Sequence, residues 1–317
     1  MVTPFAPPKP VVFQDHFNMT PGSAVDVAPM VRRILAPNPS PLTGPGTNSY
    51  LVGQGSSLAL IDPGPALPAH QAALLAALRP GEAIRHILIT HAHRDHSALA
   101  PAMAQATGAP VLAFGGALSG RSAVMQRLAA AGLTGGGEGA DLTFRPDILL
   151  ADGEQVTGDG WTVTALHTPG HMGGHLCFAL GDLLFSGDHV MGWSSTLVSP
   201  PDGDMGAYIA ALTKLAQHRW QQFLPGHGAA ITDPATRIAD LTRHRHAREL
   251  AILQALRAGP MTPATLTARI YTDTPPPLMP AAQRNVLAHL IDLAIRNLIS
   301  ADPAPRPDAL FTLTAKD

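Results

Sequence analysis

Short apolar runs, each closed by glycine, proline or a polar turn, recur through the first two thirds of the chain. Ser49-Tyr50-Leu51-Val52 follows the turn-rich Gly44-Pro45-Gly46-Thr47-Asn48, Leu58-Ala59-Leu60-Ile61 stops at Asp62-Pro63-Gly64, and Ile87-Leu88-Ile89 runs into a polar cluster. Their length and punctuation predict strands. Leu176 to Leu180 and Leu183 to Phe185 flank Gly181-Asp182, a pair suited to a tight hairpin. Between such runs, 69–78, ended by Pro80-Gly81, and 97–107 read as helices, which gives an α/β rhythm. Gly135-Gly136-Gly137-Glu138-Gly139 fits neither helix nor strand and predicts a mobile loop.

Beyond Thr232 the pattern changes. Asp233-Pro234 is a helix start, and 235–258 runs without Pro or Gly until Gly259-Pro260. A shorter helix is expected over 262–271, then a Pro275-Pro276-Pro277 break, then a helix over 281–299 with Leu287, Leu290, Ile291, Ala294 and Leu298 along one face. Ala309-Leu310-Phe311-Thr312-Leu313 reads as one strand of a wing. The domains expected are a Pro-rich segment (1–30), an α/β domain (31–232), a connecting helix (233–258) and a winged-helix-like unit (259–317).

Candidate chemistry sits at the ends of the apolar runs. Thr90-His91-Ala92-His93-Arg94-Asp95-His96 holds three imidazoles and a carboxylate, and Thr168-Pro169-Gly170-His171, Ser186-Gly187-Asp188 and Pro225-Gly226-His227 follow in order. Zinc takes N and O donors and keeps a position open to water in catalytic sites. His91 and His93, two apart on an extended segment, face the same way and with His171 make one three-imidazole site. Asp95, His96 and His227 make a second, and Asp188 has the two oxygens needed to bridge them, leaving a hydroxide as the other bridge. Metal coordination lowers the pKa of water to about 7, which readies a nucleophile at neutral pH. Asp95 and Asp188 are therefore the candidate catalytic carboxylates. The cofactor reading is two zinc ions, with iron or manganese chemically compatible.

The HxHxDH, TPGH, SGD and PGHG elements resemble those of the metallo-β-lactamase-fold hydrolases. The resemblance implies two metals at one edge of an αββα sandwich. Leu58 to Gly64 is similar to that superfamily's early strand ending in an aspartate, so Asp62 would orient ligands rather than hold metal. Gly46 to Val52, His244 to Glu249, Ile270 to Pro275 and Asn285 to Leu290 look like the β-lactamase-like group with a C-terminal winged helix, a likeness covering nearly the whole chain from about residue 40. Some members of that group cleave single-stranded RNA. The chain has no room for the inserted cap domain of messenger-RNA-maturing nucleases, and His189 follows the bridging aspartate where members vary.

Charge narrows the partners. The chain carries 21 Lys and Arg against 23 Asp and Glu, a net charge of −2, without the strong basic excess of nucleic-acid-binding domains. Arg243, Arg245 and Arg248 with His244 and His246 form the densest basic cluster and read as a solvated helix surface. The lone Cys177 sits in a strand-like run and reads as a small core residue. The first ten residues lack the basic and apolar blocks of a signal peptide and no apolar run is long enough to span a membrane, so a cytoplasmic protein is expected.

The sequence is read as a dinuclear metal-dependent hydrolase, with phosphodiester cleavage of single-stranded RNA as the first candidate reaction and hydrolysis of a thioester or other small-molecule acyl ester as the alternative; a non-enzymatic partner-binding role is a second alternative, against which the presence of all seven ligand-type residues argues. Thioester hydrolysis resembles the hydroxyacylglutathione type through His167 to His171, although no matching glutathione-binding arrangement is present. Asn48 and His189 are weak candidates for substrate contact, His175 for proton donation or support, and His167 for a structural role. The winged helix would contact substrate, cover the active-site edge, or mediate a homodimer.

Overall fold

The computed structural model describes residues 19–135 and 139–314. Most of the Pro-rich N-terminal segment and residues 136–138 of the expected glycine loop lie outside them. Two sheets stack face to face. The first has seven strands in sequence order: β1 (Ala24–Ala28), β2 (Val31–Leu35), β3 (Asn48–Val52), β4 (Leu58–Ile61), β5 (Ile84–Leu88), β6 (Val111–Ala113) and β7 (Ile148–Leu149). It is antiparallel up to β4 and parallel from there. The second contains β8 (Gln155–Gly158), β9 (Trp161–His167), β10 (Leu176–Leu180), β11 (Leu183–Gly187) and β12 (Gln222–Pro225), ordered β12-β11-β10-β9-β8.

Burial on both faces explains the continuous apolar runs. Tyr50, Val52, Ala59, Ile61 and Leu88 from the first sheet meet Val163, Phe178, Phe185 and Leu224 from the second in the inter-sheet core. Their chain neighbours Leu51, Leu58, Leu60 and Ile87 point outward onto α1 (Pro68–Ala76) and α3 (Ala100–Thr107). On the far side, Leu184 and Phe223 pack with Tyr208 and Leu212 of α5 (Met205–Ala216) and Ile238 and Leu241 of α6 (Pro234–Leu256). The result is the αββα sandwich expected. The Gly181-Asp182 hairpin forms as read, with Gly181 at φ +59°, where a side chain would be strained.

The helix expected over 97–107 is two pieces, α2 (Arg94–Ser97) and α3. The break follows from Pro101 in the first turn of α3, which has no N–H to extend a continuous helix, while the Leu99 N–H turns away to the Gly64 carbonyl (3.0 Å). As a consequence Asp95 and His96 lie on a short helical turn rather than in a loop.

The C-terminal unit is a winged helix. After α4 (Ala123–Ala130) and α6, its elements are α7 (Pro263–Ile270), α8 (Met279–Ile295) and a two-stranded wing of β13 (Ile299–Asp302) and β14 (Leu310–Leu313). Thr262 caps α7 by accepting from the Thr265 N–H. The helix expected over 281–299 runs instead from Met279 to Ile295. Asn297 at φ +57° turns the chain out of the helix, and Ile299 pairs with Leu313. Leu266, Val286, Leu290, Ile291 and Phe311 form this unit's core, against which Met125 of α4 also packs. Among the described residues no helix is long and apolar enough to cross a membrane. Cys177 is fully buried, and burial pushes its thiol up to about 12.

Candidate metal centre

Parallel neighbours end on the same edge of a sheet, and this topology gathers the side chains. β4 and β5 deliver Asp62 and His91 to one edge, while β11 and β12 deliver Asp188 and His227 to the edge facing it. His171 comes from the β9–β10 connection. Two groups result, His91, His93, His171 and Asp188, and Asp95, His96 and His227, each with ligand-type atoms within 4.8 Å of one another.

Asp188 faces both groups. Its Oδ2 lies 3.9 Å from His91 Nε2 and 3.6 Å from His171 Nε2, and its Oδ1 lies 3.4 Å from His96 Nε2 and 3.3 Å from His227 Nε2. Asp95 Oδ2 is 3.4 Å from His96 Nε2 and 3.3 Å from His227 Nε2. Its side chain keeps 26% exposure, more than any other in the cluster for which an ion-pair distance is resolved, so it meets solvent.

Most of the imidazoles are tethered through the nitrogen that points away from the cluster. His171 Nδ1 donates to the Leu197 carbonyl (2.7 Å), His227 Nδ1 to the Gly46 carbonyl (3.1 Å) and His96 Nδ1 to Asp62 Oδ2 (2.9 Å). His91 Nδ1 lies 3.0 Å from Thr90 Oγ1. A carbonyl cannot donate, so the tethered nitrogen carries the proton and the inner one of a neutral ring presents a lone pair. These inner nitrogens approach closely: His171 Nε2 to His93 Nδ1 at 3.0 Å, and His96 Nε2 to His227 Nε2 at 3.3 Å. Converging lone pairs with carboxylate oxygens around them are what a divalent cation requires. The donor set fits two such ions.

Electrostatics divide the two groups. Burial, with repulsion from neighbouring imidazoles, drives His91 well below its ordinary range and His93 down to about 3. In the other group burial opposes protonation but is outweighed: Asp95 and Asp188 hold His96 well above its usual value, and Asp188 with Asp95 holds His227 near 10. Burial would raise both aspartates, yet His96 and His227 keep their carboxyls well below the usual range. A cation in this group would compete with protons for the same lone pairs.

Supporting residues surround the cluster. Asp62, at φ +50° and buried, accepts from the Thr90 N–H (2.8 Å) and Thr90 hydroxyl (2.7 Å) as well as from His96. His175 Nε2 accepts from the Asp188 N–H (3.2 Å), and its ring stacks on His91. His167 stacks on Phe114 with Nε2 2.8 Å from the Gly173 carbonyl.

Asn48 and His189, expected as weak substrate contacts, are both fully buried and do not line the cleft. Asn48 instead donates to the Pro225 and Gly228 carbonyls (2.9 Å each), tying β3 to the loop that carries His227. The expected solvated surface of α6 is corrected at Arg245, which is fully buried against the Tyr208 ring, and at Arg248, which stacks over Tyr271 at 4.2 Å. The aromatic partners, far away in sequence, carry the apolar parts of these cations into the interior. Thr90 and the Gly46 and Leu197 carbonyls were not anticipated; only the Asp62-Pro63-Gly64 strand end hinted at the first.

The cluster opens on a cleft of about 890 Å³ between the sandwich and the winged helix. His93, Asp95, His171, Asp188 and His227 form one end. Leu42, Met191, Trp193, Leu197, Ile270 and Tyr271 give its walls an apolar character, with Arg243 and Arg248 toward α6.

Comparisons with known proteins agree with this architecture. Residues 42–222 match the family model of the metallo-beta-lactamase superfamily, and residues 262–304 match the beta-lactamase associated winged helix domain. The chain is 33% identical to a beta-lactamase-like protein 2 homolog of Drosophila melanogaster over 83% of its own length and 87% of that protein's. It is 35% identical to an atrochrysone carboxyl ACP thioesterase of Aspergillus chevalieri, over 73% of this chain and 67% of the other. Among solved structures, a beta-lactamase domain protein from Burkholderia ambifaria superposes with a TM-score of 0.77 at 23% identity, covering 94% of this chain and 96% of that one. With its sandwich, its paired His and Asp groups and its C-terminal winged helix, the chain belongs to the metallo-beta-lactamase superfamily of hydrolases.

Proposed function

We propose that the chain is a dinuclear metal-dependent hydrolase of acyl thioesters. His91, His93 and His171 would hold one ion, Asp95, His96 and His227 the other, and Asp188 would bridge them through its two oxygens. Zinc is the proposed metal; iron and manganese suit the same imidazole and carboxylate donors. When bound, such ions supply Lewis acidity toward a carbonyl oxygen and an ionised water at neutral pH.

The protein's own part is positioning. Asp95, the partly exposed carboxylate of the cluster, lines the cleft and receives a hydrogen bond from Thr47 Oγ1 (3.2 Å). There it would accept a hydrogen bond from a water at this end of the cleft and orient it. His175 and Thr196 hold the backbone that presents Asp188, through the Asp188 N–H (3.2 Å) and carbonyl (2.8 Å). The apolar walls would shield from water an acyl chain seated in the cleft.

The observation that carries the thioester reading is the roofed, largely apolar cleft, sized for a small molecule. The relative from Aspergillus chevalieri, named an acyl-carrier-protein thioesterase, supports it. A second reading, cleavage of single-stranded RNA, is favoured by Arg248 stacked on Tyr271 at the cleft wall, a cation and aromatic pairing of the kind that binds unpaired bases. The test is an initial-rate comparison of the zinc-loaded protein on acyl-coenzyme A thioesters, S-lactoylglutathione and single-stranded RNA, with Asp188→Ala as blank. Thioester turnover absent in the variant is expected. RNA cleavage without thioester turnover would overturn the proposal in favour of the second reading.

A further inference from the structure

We infer that the C-terminal part of the chain positions the metal centre through Asn285 and Arg245, which fix the segment holding His171 and Asp188. The inference rests on the dinuclear reading above.

The segment from His189 to Ser199 has no regular secondary structure, yet Val190, Thr196, Val198 and Ser199 are buried. It touches three of the seven cluster residues, His171, Asp188 and, through Trp193 Nε1 on the His227 carbonyl (3.3 Å), His227. The Leu197 carbonyl receives His171 Nδ1 at 2.7 Å, and the Thr196 hydroxyl lies 2.8 Å from the Asp188 carbonyl and 2.9 Å from that of His189. Leu197 therefore sets both the tautomer and the ring orientation of His171, the role that outer hydrogen-bond partners play for a ligating imidazole.

The residues on either side of Leu197 are held from α6 and α8. Arg245 of α6 donates to the Thr196 carbonyl. Asn285 of α8 accepts, through Oδ1, from the Val198 N–H (2.9 Å) and from Arg245 Nη1 (3.3 Å). Next to it, Arg284 donates through Nε to Ser199 Oγ (2.8 Å) and through Nη2 to the Pro200 carbonyl. Arg245 is fully buried and, among the described residues, makes no ion pair with a carboxylate. Among the described residues this buried guanidinium is held by two carbonyl oxygens and the Tyr208 ring, contacts that offset part of its desolvation cost and tie it to one conformation of the segment. The conformation specified here is that of Thr196-Leu197-Val198, so the winged helix serves as an outer wall of the metal site as well as the roof of the cleft.

The test uses the full chain, stripped with a chelator and titrated with Co²⁺ and Zn²⁺, with the cobalt visible spectrum reporting coordination. Asn285→Leu removes the acceptor and Asn285→Asp keeps it. Asn285→Leu should lose about 10- to 100-fold in affinity for one of the two ions, with an altered cobalt spectrum, the range typical of outer-partner loss. Asn285→Asp should return to within about threefold of the wild type. Arg245→Lys, which lacks the fork needed to reach two acceptors, should show an intermediate loss and serves if Asn285→Leu does not fold. Leu266→Ala, in the winged-helix core away from the relay, should lower the Tm and leave metal affinity unchanged. Wild-type affinity in a folded Asn285→Leu, or equal weakening in Leu266→Ala, overturns the inference. A wild-type chain that binds no metal overturns the dinuclear reading itself, which separates the two failures.

Discussion

Replacing Asp62 by Asn changes one atom and should reverse the polarity of a metal-facing imidazole. Asp62 accepts three hydrogen bonds, from the Thr90 N–H, the Thr90 hydroxyl and His96 Nδ1. Asn tolerates the left-handed backbone at φ +50° as Asp does, so the strand end is unaffected. Its amide oxygen must face the Thr90 N–H, which can only donate, and that leaves its NH₂ facing the hydroxyl and His96. The hydroxyl can rotate to accept. His96 can accept on Nδ1 only by moving its proton to Nε2, the atom 3.3 Å from His227 Nε2 and 3.4 Å from Asp188 Oδ1. Three charge-assisted bonds become neutral ones at a cost of roughly 1 kcal/mol each, so Tm falls and the fold survives. Metal affinity of the Asp95, His96, His227 group should fall about 10- to 100-fold, or about 1.4 to 2.7 kcal/mol. Chelator competition reads that affinity, and nitrogen NMR of the imidazoles reads the tautomer. Two ions bound with unchanged affinity, or a neutral His96 ring in the metal-free variant that still carries its proton on Nδ1, would refute the argument.

Other perturbations test separate parts of the site. A Cβ on Gly226 would lie 2.6 Å from Asp188 Oδ1 and 2.7 Å from His96 Cε1, and the Gly226 backbone is pinned to Gly187 and Asn48, so Gly226→Ala should leave at most one ion bound by elemental analysis; a normal complement would count against the assigned geometry. His70, fully buried and 2.8 Å from Ser49 Oγ, is held down to about 4 by burial. Its depressed value means the unfolded chain binds the proton first, so its contribution is intact above about pH 6.5 and lost as pH falls toward 4; the ceiling is about 3 kcal/mol, and thermal melts of His70→Gln should show a flatter dependence across that window. Tyr271→Ala, on the cleft wall, should raise KM several-fold for whichever substrate turns over while kcat stays within about twofold, and a selective loss of kcat would place Tyr271 closer to the chemistry than the cleft geometry does.

Legibility in the sequence followed the range of the interactions. The histidine-rich motifs are local, each set at the end of one apolar run, and the structure gathers all seven of their His and Asp residues at one edge of the sandwich. The hairpin at Gly181-Asp182 and the starts of α6 and α7 were legible because a turn or cap is written in adjacent residues. The end of α8 was overrun because its apolar stripe continues through Leu298, while what stops the helix is pairing of Ile299 with Leu313, a partner beyond a long turn. The break between α2 and α3 was missed for a related reason: Pro101 is a local signal, but a proline in a first turn also starts a helix, and only the Leu99 to Gly64 bond decides between the two.

The same distinction explains why the basic cluster on α6 was misread. Charge along a single helix reads as solvated surface, and for Arg243, paired with Asp240 and exposed, it is. Arg245, two residues on, is buried because Tyr208 from α5, Asn285 from α8 and the Thr196 carbonyl converge on it from three separate parts of the chain. No local pattern encodes that convergence. Its residues act on the cluster through Thr196, whose hydroxyl holds the Asp188 carbonyl, and through the backbone of Leu197, whose side-chain identity is irrelevant to the bond it makes with His171. Ligands selected by side-chain chemistry announce themselves in sequence, whereas the carbonyls of Gly46 and Leu197 that orient them are supplied by any residue the fold places there. In this site the metal-facing half is therefore written in residue types, and the orienting half is written in topology.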